Sequence, residues 1–490
     1  MSGRWRLGLL LAAALAAFGG SLAGSFHLDD YSIFSDTAVG AAQTRPLTWL
    51  TFWLNDRLGG QNPAGYHAVN LCLHLAAVAL LADSLQRLLS SRAAWIAAAI
   101  FAIHPIQAEA VNYIFARSTL LAAVLCFASL SAWLRNRVWL SVVLFAAALL
   151  AKEECVAFPV FLLAIGMGFG PSGISRPSRG WRYPLAAMFL LALAAGLRLL
   201  WVTRITPGAG AGFGSGVSPW TYLAAQGPAI VRYFRLLVFP WGFTVDPAIV
   251  PAPLWWGVVL AILYAAFRFR VGFWLACGLV LLAPSSSVIP VADFAADRRM
   301  YIPLLAFGAG LGILLERVDT RLLYAGGAAL LTLSMVQTQV WSTEASLWTQ
   351  AVERAPSKVR PKIQLARALD PQRALVLLDE AARLAPEDPA IPAERGRVLL
   401  QSGQPAQALA AFGRALALAP NDPHAINNRG VALLAMGQIE AARQDFRRAL
   451  EIDACLFDAR LNLKRAGVIA PGPSGCRFTQ SERAALAATP

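Results

Sequence analysis

The chain has 490 residues, of which 57% are hydrophobic and only 14% are charged, and its formal net charge is +14. Soluble proteins average about 25% charged residues, so the composition argues against a water-soluble fold. The basic residues stand in twos and threes at the ends of apolar blocks, which is the pattern of membrane topology. No basic patch for phosphate backbones is present in the sequence, and no nucleic-acid partner is expected.

Apolar blocks along the first 340 residues predict an all-α polytopic domain. A helix needs about 20 apolar residues to cross a bilayer. We predict eleven spans, near residues 7–24, 67–84, 92–103, 118–134, 138–151, 155–170, 183–202, 254–267, 271–290, 301–315 and 322–340. A further apolar block at 222–240 is interrupted by Arg232 and Arg235, so we interpret it as re-entrant or interfacial.

The basic residues at the start of the chain set its orientation. The first apolar block follows Arg4 and Arg6, and it is either a cleaved signal peptide or, as we favour, an uncleaved span. Positive residues stay inside, so both alternatives send the segment after Ser25 outside. Alternation of the spans then places the C-terminal tail outside as well.

The first outer loop, at about 25–66, carries the adjacent carboxylates of Asp29 and Asp30 directly beyond the first span. Two close acids can separate their pKa values, so that one accepts a proton while the other orients it. A loop or helix-capping role explains the same pair equally well. Residues 45–55 of this loop have the pattern of a Pro-started amphipathic helix that lies along the outer interface.

Other ionisable residues also fall in outward-facing loops. His104 and Glu109 lack the i,i+4 spacing of a zinc-binding helix, so no metal site is predicted. Charged groups at the bilayer edge are costly, and their gathering on one side indicates a site for an anion. For each residue taken singly, an interfacial anchor or a structural ion pair is the alternative. The further candidates are Arg45, Arg117, Lys152, Glu153, Arg298, Arg299 and Tyr301.

A hydrophilic tail follows, and its helical pattern repeats every 34 residues. Gly403 matches Gly437, and Ala381 matches Ala415 and Ala449. This is the period of tetratricopeptide helix pairs, which bind partner proteins or, alternatively, act here as a stabilising cap. The predicted domains are a membrane domain at 1–340, a repeat domain at 341–466 and a C-terminal tail at 467–490.

The six cysteines show no metal-ligand spacing. Cys455 and Cys476 both lie in the tail. If the tail is extracytoplasmic, these two cysteines are able to form one disulfide.

Six short motifs occur in order along the chain. They are Leu-Asp-Asp at 28–30, Arg-Pro-Leu-Thr at 45–48, Gly-Tyr-His-Ala-Val-Asn at 65–70, His-Pro-Ile-Gln-Ala-Glu-Ala-Val at 104–111 with Arg-Ser at 117–118, Lys-Glu-Glu at 152–154 and Arg-Arg-Met-Tyr-Ile-Pro at 298–303. This ordered set resembles the transmembrane O-mannosyltransferases with tetratricopeptide repeats and their bacterial relatives. The resemblance covers essentially the whole chain.

The resemblance implies an all-helical enzyme of the glycosyltransferase C superfamily that uses a sugar carried on a polyprenyl phosphate. It implies that Asp29 and Asp30 form the catalytic acidic pair, and we favour Asp29 as the general base. Arg298, Arg117 and Lys152 would stabilise the leaving phosphate, with Arg45 as a weaker candidate. His104 and Glu109 would position the sugar or the acceptor, and Tyr301 would stack or hydrogen-bond nearby. A need for a divalent metal does not follow from the sequence.

The resemblance leads to a functional expectation with alternatives. We expect transfer of a sugar, mannose in the animal branch, to a Ser or Thr hydroxyl of an exported protein at the extracytoplasmic face of a bacterial inner membrane. Transfer onto a glycan or lipid is one alternative. A noncatalytic membrane scaffold that recruits envelope partners through its repeats is the other.

Overall fold

The computed structural model describes residues 3–34, 44–167, 180–205, 216–269, 271–287, 289–291, 293–469, 476, 478 and 480–489. In these ranges the chain is helical and contains no extended β-strand. The chain forms two compact units, and the boundary between them falls at Leu347. Residues 35–43 of the predicted outer loop lie outside the described residues.

Fourteen described helices precede the boundary. They are α1 (Gly3–Phe18), α2 (Pro46–Gly59), α3 (Pro63–Leu88), α4 (Ser91–Ile103), α5 (Ala108–Asn112), α6 (Arg117–Leu134), α7 (Val138–Ala151), α8 (Phe158–Gly166), α9 (Arg182–Ile205), α10 (Pro219–Val238), α11 (Trp255–Arg268), α12 (Gly272–Leu282), α13 (Leu304–Leu315) and α14 (Thr320–Val340). Short 3₁₀ segments join several of them, including Leu28–Phe34, Ile114–Ala116, Glu153–Ala157 and Asp297–Met300.

The first unit is built around α3, α4 and α6. Helix α6 packs along α3 and α7, while α13 packs along α4. Gly312 permits the close approach of α13 and α4, because a Cβ atom there would collide with the carbonyl oxygen of Ala93. The buried side chains of this unit form one continuous apolar core that includes Phe101, Phe127 and Leu130.

Several helices of this unit are suited to a bilayer. Four have the length and hydropathy to cross it alone, namely Gly3–Ala23, Pro63–Leu88, Ile114–Leu134 and Arg182–Val202. Ser91–Ile103 and Pro105–Asn112 form a fifth if they count as one span bent by 47°. Shorter apolar helices are Val138–Ala151, Trp255–Arg268, Gly272–Ser285 and Leu304–Leu315.

The predicted polytopic, all-α architecture is confirmed. Each predicted span overlaps a described helix, although the total of eleven crossings stays a prediction. Helix α9 leaves Leu190, Leu193 and Leu197 more than half exposed. Side chains of this kind in a row require lipid around them. The block predicted to be re-entrant or interfacial forms the single helix α10, which contains Pro228.

The remaining helices lie in the repeat region, except α23, which lies in the C-terminal tail. They are α15 (Glu344–Arg354), α16 (Val359–Ala368), α17 (Pro371–Leu384), α18 (Ala390–Gln401), α19 (Pro405–Leu418), α20 (Pro423–Ala435), α21 (Ile439–Ile452), α22 (Phe457–Arg465) and α23 (Gln480–Ala488). Ala381, Ala415 and Ala449 are at most 1% exposed, so the small residues of the repeat do face other helices.

Two glycines show that the repeat in the amino-acid sequence is also a repeat in the structure. A Cβ atom at Gly396 would lie 2.7 Å from the ring of Phe412, and one at Gly430 would lie 2.7 Å from the ring of Phe446. The two contacts are 34 residues apart and identical in kind. Helix pairs of equal geometry therefore follow one another, as the sequence predicts.

Candidate active site

The two adjacent carboxylates of the first outer loop have opposite environments. Both lie in the 3₁₀ segment Leu28–Phe34. Asp30 is fully buried, whereas Asp29 is exposed. Leu28 precedes them with φ of 51°, a left-handed conformation that is rare for a residue with a bulky side chain. The backbone therefore turns sharply where the pair begins.

Asp30 holds the loop in place through two hydrogen bonds. Its Oδ2 accepts a hydrogen bond of 2.9 Å from the backbone N–H of His27, and its Oδ1 accepts one of 2.7 Å from the N–H of Phe115. Burial raises the pKa of Asp30 to about 7, against the opposing effect of these two N–H groups. Both oxygens are engaged and inaccessible, so the part that Asp30 plays is to hold the loop.

Asp29 faces outward and is held by Tyr113. The Tyr113 hydroxyl donates a hydrogen bond of 2.9 Å to Oδ2 of Asp29 and accepts one of 3.2 Å from its backbone N–H. Burial, and then the charge of Asp29, raise the pKa of Tyr113, which keeps the phenol protonated and able to donate. Oδ1 of Asp29 receives no hydrogen bond from the described part of the chain. This oxygen is free to accept a proton.

Arg298 lies on the other side of Tyr113. Its guanidinium carbon is 5.7 Å from the centre of the Tyr113 ring. Nη1 of Arg298 is ion-paired with Glu109, whose other oxygen accepts the Arg298 backbone N–H at 3.2 Å. Nε and Nη2 donate to no residue within the described ranges. Arg298 therefore keeps hydrogen-bond donors for a ligand.

Arg45 and Lys152 add two more cations near Arg298. Arg45 makes a two-pronged ion pair with Glu153, with Nε at 2.9 Å from Oε2, and leaves Nη1 without a partner among the described residues. Lys152 contacts Glu154 and Thr119, each at 2.8 Å. Burial lowers the pKa of Lys152, and the charges of Arg45 and Arg298 lower it further against the opposing charge of Glu154. The three cations are thus close enough to act on one another.

Glu153 is a permanent carboxylate in this arrangement. Its burial raises its pKa, but the ion pair with Arg45 outweighs burial and lowers the pKa to about 2. Two acids, Glu153 and Glu154, therefore balance Arg45 and Lys152. An incoming phosphate would meet cations that are already oriented by carboxylates.

Two other predicted arginines donate several hydrogen bonds within the protein. Arg117 is buried, and its donors reach Oδ1 of Asn70 and the carbonyl oxygens of Thr51 and Tyr66 at 2.9 to 3.3 Å. Arg299 donates from both Nη atoms to the Tyr222 hydroxyl and to carbonyl oxygens between residues 285 and 294. Both side chains fasten backbone segments of the first unit.

His104 and Tyr301 also lie in the interior. His104 accepts the N–H of Ile106 on Nδ1 and contacts the carbonyl oxygen of Leu237 through Nε2, which fixes the break between α4 and α5. Tyr301 is fully buried, and its hydroxyl contacts Nδ1 of His74 at 2.8 Å. His104 and Tyr301 thus lie away from the candidate site. The predicted residues that the structure does bring together are Asp29, Arg298, Arg45, Lys152, Glu109 and Glu153.

Two residues of this region, Tyr113 and Asp297, were not among the candidates that the sequence predicts. Tyr113 stands next to a span and has the pattern of an interfacial aromatic. Asp297 pairs with Arg232 of α10 at 2.5 Å, and both side chains are at most 10% exposed. The interruption of an apolar block by Arg232 was the available signal for that pair. Among the described residues, no group of three or more His, Cys, Asp or Glu is placed to hold a metal ion.

The comparisons with known proteins agree with the motifs. Residues 393–454 match the tetratricopeptide repeat family. Protein O-mannosyl-transferase Tmtc1 of Drosophila melanogaster is 41% identical over 120 residues, 23% of this chain and 14% of that protein. Protein O-mannosyl-transferase F38B6.6 of Caenorhabditis elegans is 23% identical over 361 residues, 66% of this chain and 51% of that protein.

The resemblance to O-mannosyltransferases is confirmed. The aligned parts of this chain nevertheless span only 14% to about half of the length of these two relatives. The crystal structure of ArnT from Cupriavidus metallidurans bound to undecaprenyl phosphate is also similar, with 12% identity, a TM-score of 0.39, and coverage of 91% of this chain and 80% of that one. A likeness at that level does not define a common fold.

Proposed function

We propose that the chain is a membrane glycosyltransferase that moves a sugar from a polyprenyl phosphate to a hydroxyl group. The observation that carries the proposal is the presence of a free carboxylate oxygen on Asp29 and free donors on Arg298, both of which contact Tyr113. A base and a phosphate-binding cation are the two groups that this displacement needs. The O-mannosyltransferase relatives make mannose the first sugar to test and a Ser or Thr hydroxyl the first acceptor.

The chemistry follows from the two groups. Oδ1 of Asp29 takes the proton of the acceptor hydroxyl as its oxygen bonds to the anomeric carbon. The bond from that carbon to the phosphate oxygen breaks, and the polyprenyl phosphate leaves with the bonding electrons. Arg298, assisted by Arg45 and Lys152, stabilises the negative charge on the departing oxygen. Attack opposite the leaving group inverts the anomeric carbon.

The same proposal places the site and the repeats on the extracytoplasmic side of a bacterial inner membrane. Cys455 and Cys476 are joined by a disulfide with a Cα–Cα distance of 5.4 Å. Disulfides form and persist in oxidising compartments and are rare in the cytosol. This bond, with the basic residues at the chain start, supports an outward tail, where the repeats are available to an exported acceptor.

The proposal is tested by transfer of labelled mannose from polyprenyl phosphate mannose to envelope proteins in membranes. Membranes with the wild-type chain should label protein, and membranes with equal amounts of Asp29→Asn should not. If the donor is consumed and the label appears only in glycan or lipid, the acceptor is a glycan or lipid and not a protein. If a panel of polyprenyl phosphate sugars gave no Asp29-dependent transfer, the scaffold alternative would stand in place of the enzyme.

A further inference from the structure

Tyr113 is the residue that joins the two halves of the candidate site. It stands in extended conformation between α5 and the 3₁₀ turn Ile114–Ala116, with φ of −81° and ψ of 113°. Its side chain is almost fully buried, at 2% exposure. One end of the phenol contacts the carboxylate side of the site, and the ring contacts the cation side.

The Tyr113 hydroxyl makes two hydrogen bonds to Asp29. It donates to the carboxylate at 2.9 Å and accepts from the backbone N–H of the same residue at 3.2 Å. A hydroxyl that engages both the side chain and the main chain of one residue fixes its position and its rotamer together. Leu28, with φ of 51°, makes such a restraint necessary, because a bulky residue in the left-handed region relaxes unless the surroundings hold it.

The ring end is held rigidly. The Arg298 guanidinium lies 5.7 Å from the ring centre. The indole of Trp341 stacks on the ring at 5.8 Å between centres, with an angle of 27° between planes. The ring is therefore fixed by aromatic packing and offers a face of negative potential to the cation.

We propose that Tyr113 is a positioning residue that sets the spacing between the base Asp29 and the phosphate-binding Arg298. The inference rests on the proposed function, because only an in-line displacement needs these two groups at a fixed separation across the reacting carbon. A misplacement of about 1 Å can cost about 100-fold in rate. A single rigid side chain that contacts both groups holds that separation without any movement of the loops.

A merely structural tyrosine would behave differently. Its hydroxyl would stabilise the fold, and its removal would lower the amount of folded protein without changing the kinetics of the remainder. A positioning residue with two functional ends predicts that the hydroxyl and the ring affect different kinetic quantities. The hydroxyl should affect the maximal rate, and the ring should affect the donor concentration needed for half-saturation.

The experiment compares Tyr113→Phe, Tyr113→Leu and the control Tyr31→Phe in the full chain. Tyr31 lies in the same loop, is 60% exposed, and its hydroxyl donates to the carbonyl oxygen of Phe26 at 3.2 Å. The readouts are the maximal rate of mannose transfer from polyprenyl phosphate mannose to envelope proteins, the half-saturating donor concentration, and the dissociation constant for polyprenyl phosphate alone. All are normalised to folded protein measured by size exclusion in detergent.

Tyr113→Phe should lower the maximal rate about 10- to 100-fold, as expected for loss of one hydrogen bond to a charged group. Its half-saturating donor concentration and its affinity for polyprenyl phosphate should stay within about twofold of wild type, because the ring remains. Tyr113→Leu should also raise the half-saturating donor concentration and weaken polyprenyl phosphate binding, each by about five- to tenfold, as expected for loss of a partly buried cation–π contact. Tyr31→Phe should match the wild type.

Three outcomes would overturn the inference, and they distinguish its failure from failure of the proposed function. An active wild type whose Tyr113→Phe variant keeps the full maximal rate overturns the role of Tyr113 and leaves the enzyme intact. A wild type that transfers no sugar from any donor removes the proposed function and the inference with it. Unchanged affinity of Tyr113→Leu for polyprenyl phosphate also overturns the inference, and this binding measurement does not depend on activity.

Discussion

The carboxylate of Glu109 accepts both the guanidinium and the backbone N–H of Arg298, so one buried acid holds the side chain and the main chain of one cation. The two residues lie 189 positions apart in the sequence. Glu109 is 4% exposed, whereas the Arg298 side chain is 26% exposed. Glu109 is therefore the fixed partner of the pair, and Arg298 is the partner whose side chain reaches the site.

Glu109→Gln should release Arg298 and weaken the donor site. Removal of one partner from a largely buried pair leaves an uncompensated charge, and we expect about 2 kcal/mol of lost stability because Arg298 is partly solvated. The half-saturating concentration of polyprenyl phosphate mannose should rise about tenfold. Thermal unfolding in detergent and donor titration measure the two effects, and an unchanged donor titration would contradict the assigned role of Glu109.

Asp30 should make stability depend on pH. Its pKa is about 7 in the folded chain against an ordinary value of 3.8. Because the folded value is raised, the stabilising contribution is fully present below about pH 4 and is lost as pH rises through about 7. This rise in the pKa of Asp30 corresponds to a loss of stability on the order of 4 kcal/mol between the two pH limits.

The measurement is thermal unfolding of wild type and Asp30→Asn between pH 4 and pH 8. As pH rises, the wild type should lose stability relative to Asp30→Asn. Asp29→Asn serves as the matched control, since it removes the neighbouring carboxylate but keeps the buried Asp30, so its stability should still fall as pH rises. Parallel profiles for wild type and Asp30→Asn would show that Asp30 does not titrate in this range.

Arg45 should contribute to donor binding, whereas Arg57, in the helix α2 that Arg45 precedes, should not. Arg45 is paired with Glu153 beside Lys152, while Arg57 lies over the ring of Trp53 at 5.5 Å. Arg45→Gln should raise the half-saturating donor concentration about five- to tenfold, the effect of one lost charge-assisted hydrogen bond. Arg57→Gln should leave it within about twofold. Equal effects of both variants would indicate general surface attraction in place of a defined phosphate contact.

The local parts of the structure were predictable from the sequence. Asp29 and Asp30 follow a span, and the glycine and alanine positions of the repeat recur at a fixed period, so each signal lies within a short window. The different roles of Arg298 and Arg299 were not predictable. The two are neighbours in the same motif, and what separates them is that Arg299 donates to carbonyl oxygens of a loop at 285–294 that carries no side-chain signal. Tyr113 was missed for the same reason, since its partners come from distant segments.

Glycines of the repeat region should differ sharply in their tolerance of alanine. A Cβ atom at Gly396 would meet the ring of Phe412 at 2.7 Å, whereas one at Gly413 would meet nothing within 4 Å. Gly396→Ala should destabilise the repeats by about 1–3 kcal/mol through overpacking. Gly413→Ala, in the interior of α19, should stabilise them by about 0.5–1 kcal/mol. Hydrogen exchange of α18 to α21 in the full chain measures both, and equal exchange rates for the two variants would contradict the packing.

The disulfide makes the side of the membrane testable. Cys455 and Cys476 are bonded, and the four other cysteines, which lie in the first unit, are free. In Cys455→Ser the thiol of Cys476 becomes available, and a membrane-impermeant maleimide added to intact spheroplasts should label it. The matched control is Cys455→Ser/Cys476→Ser, which should remain unlabelled apart from any reaction at Cys72, the exposed cysteine of the first unit. Labelling only after the membrane is permeabilised would place the repeats inside, and it would also remove the proposed encounter with exported acceptors.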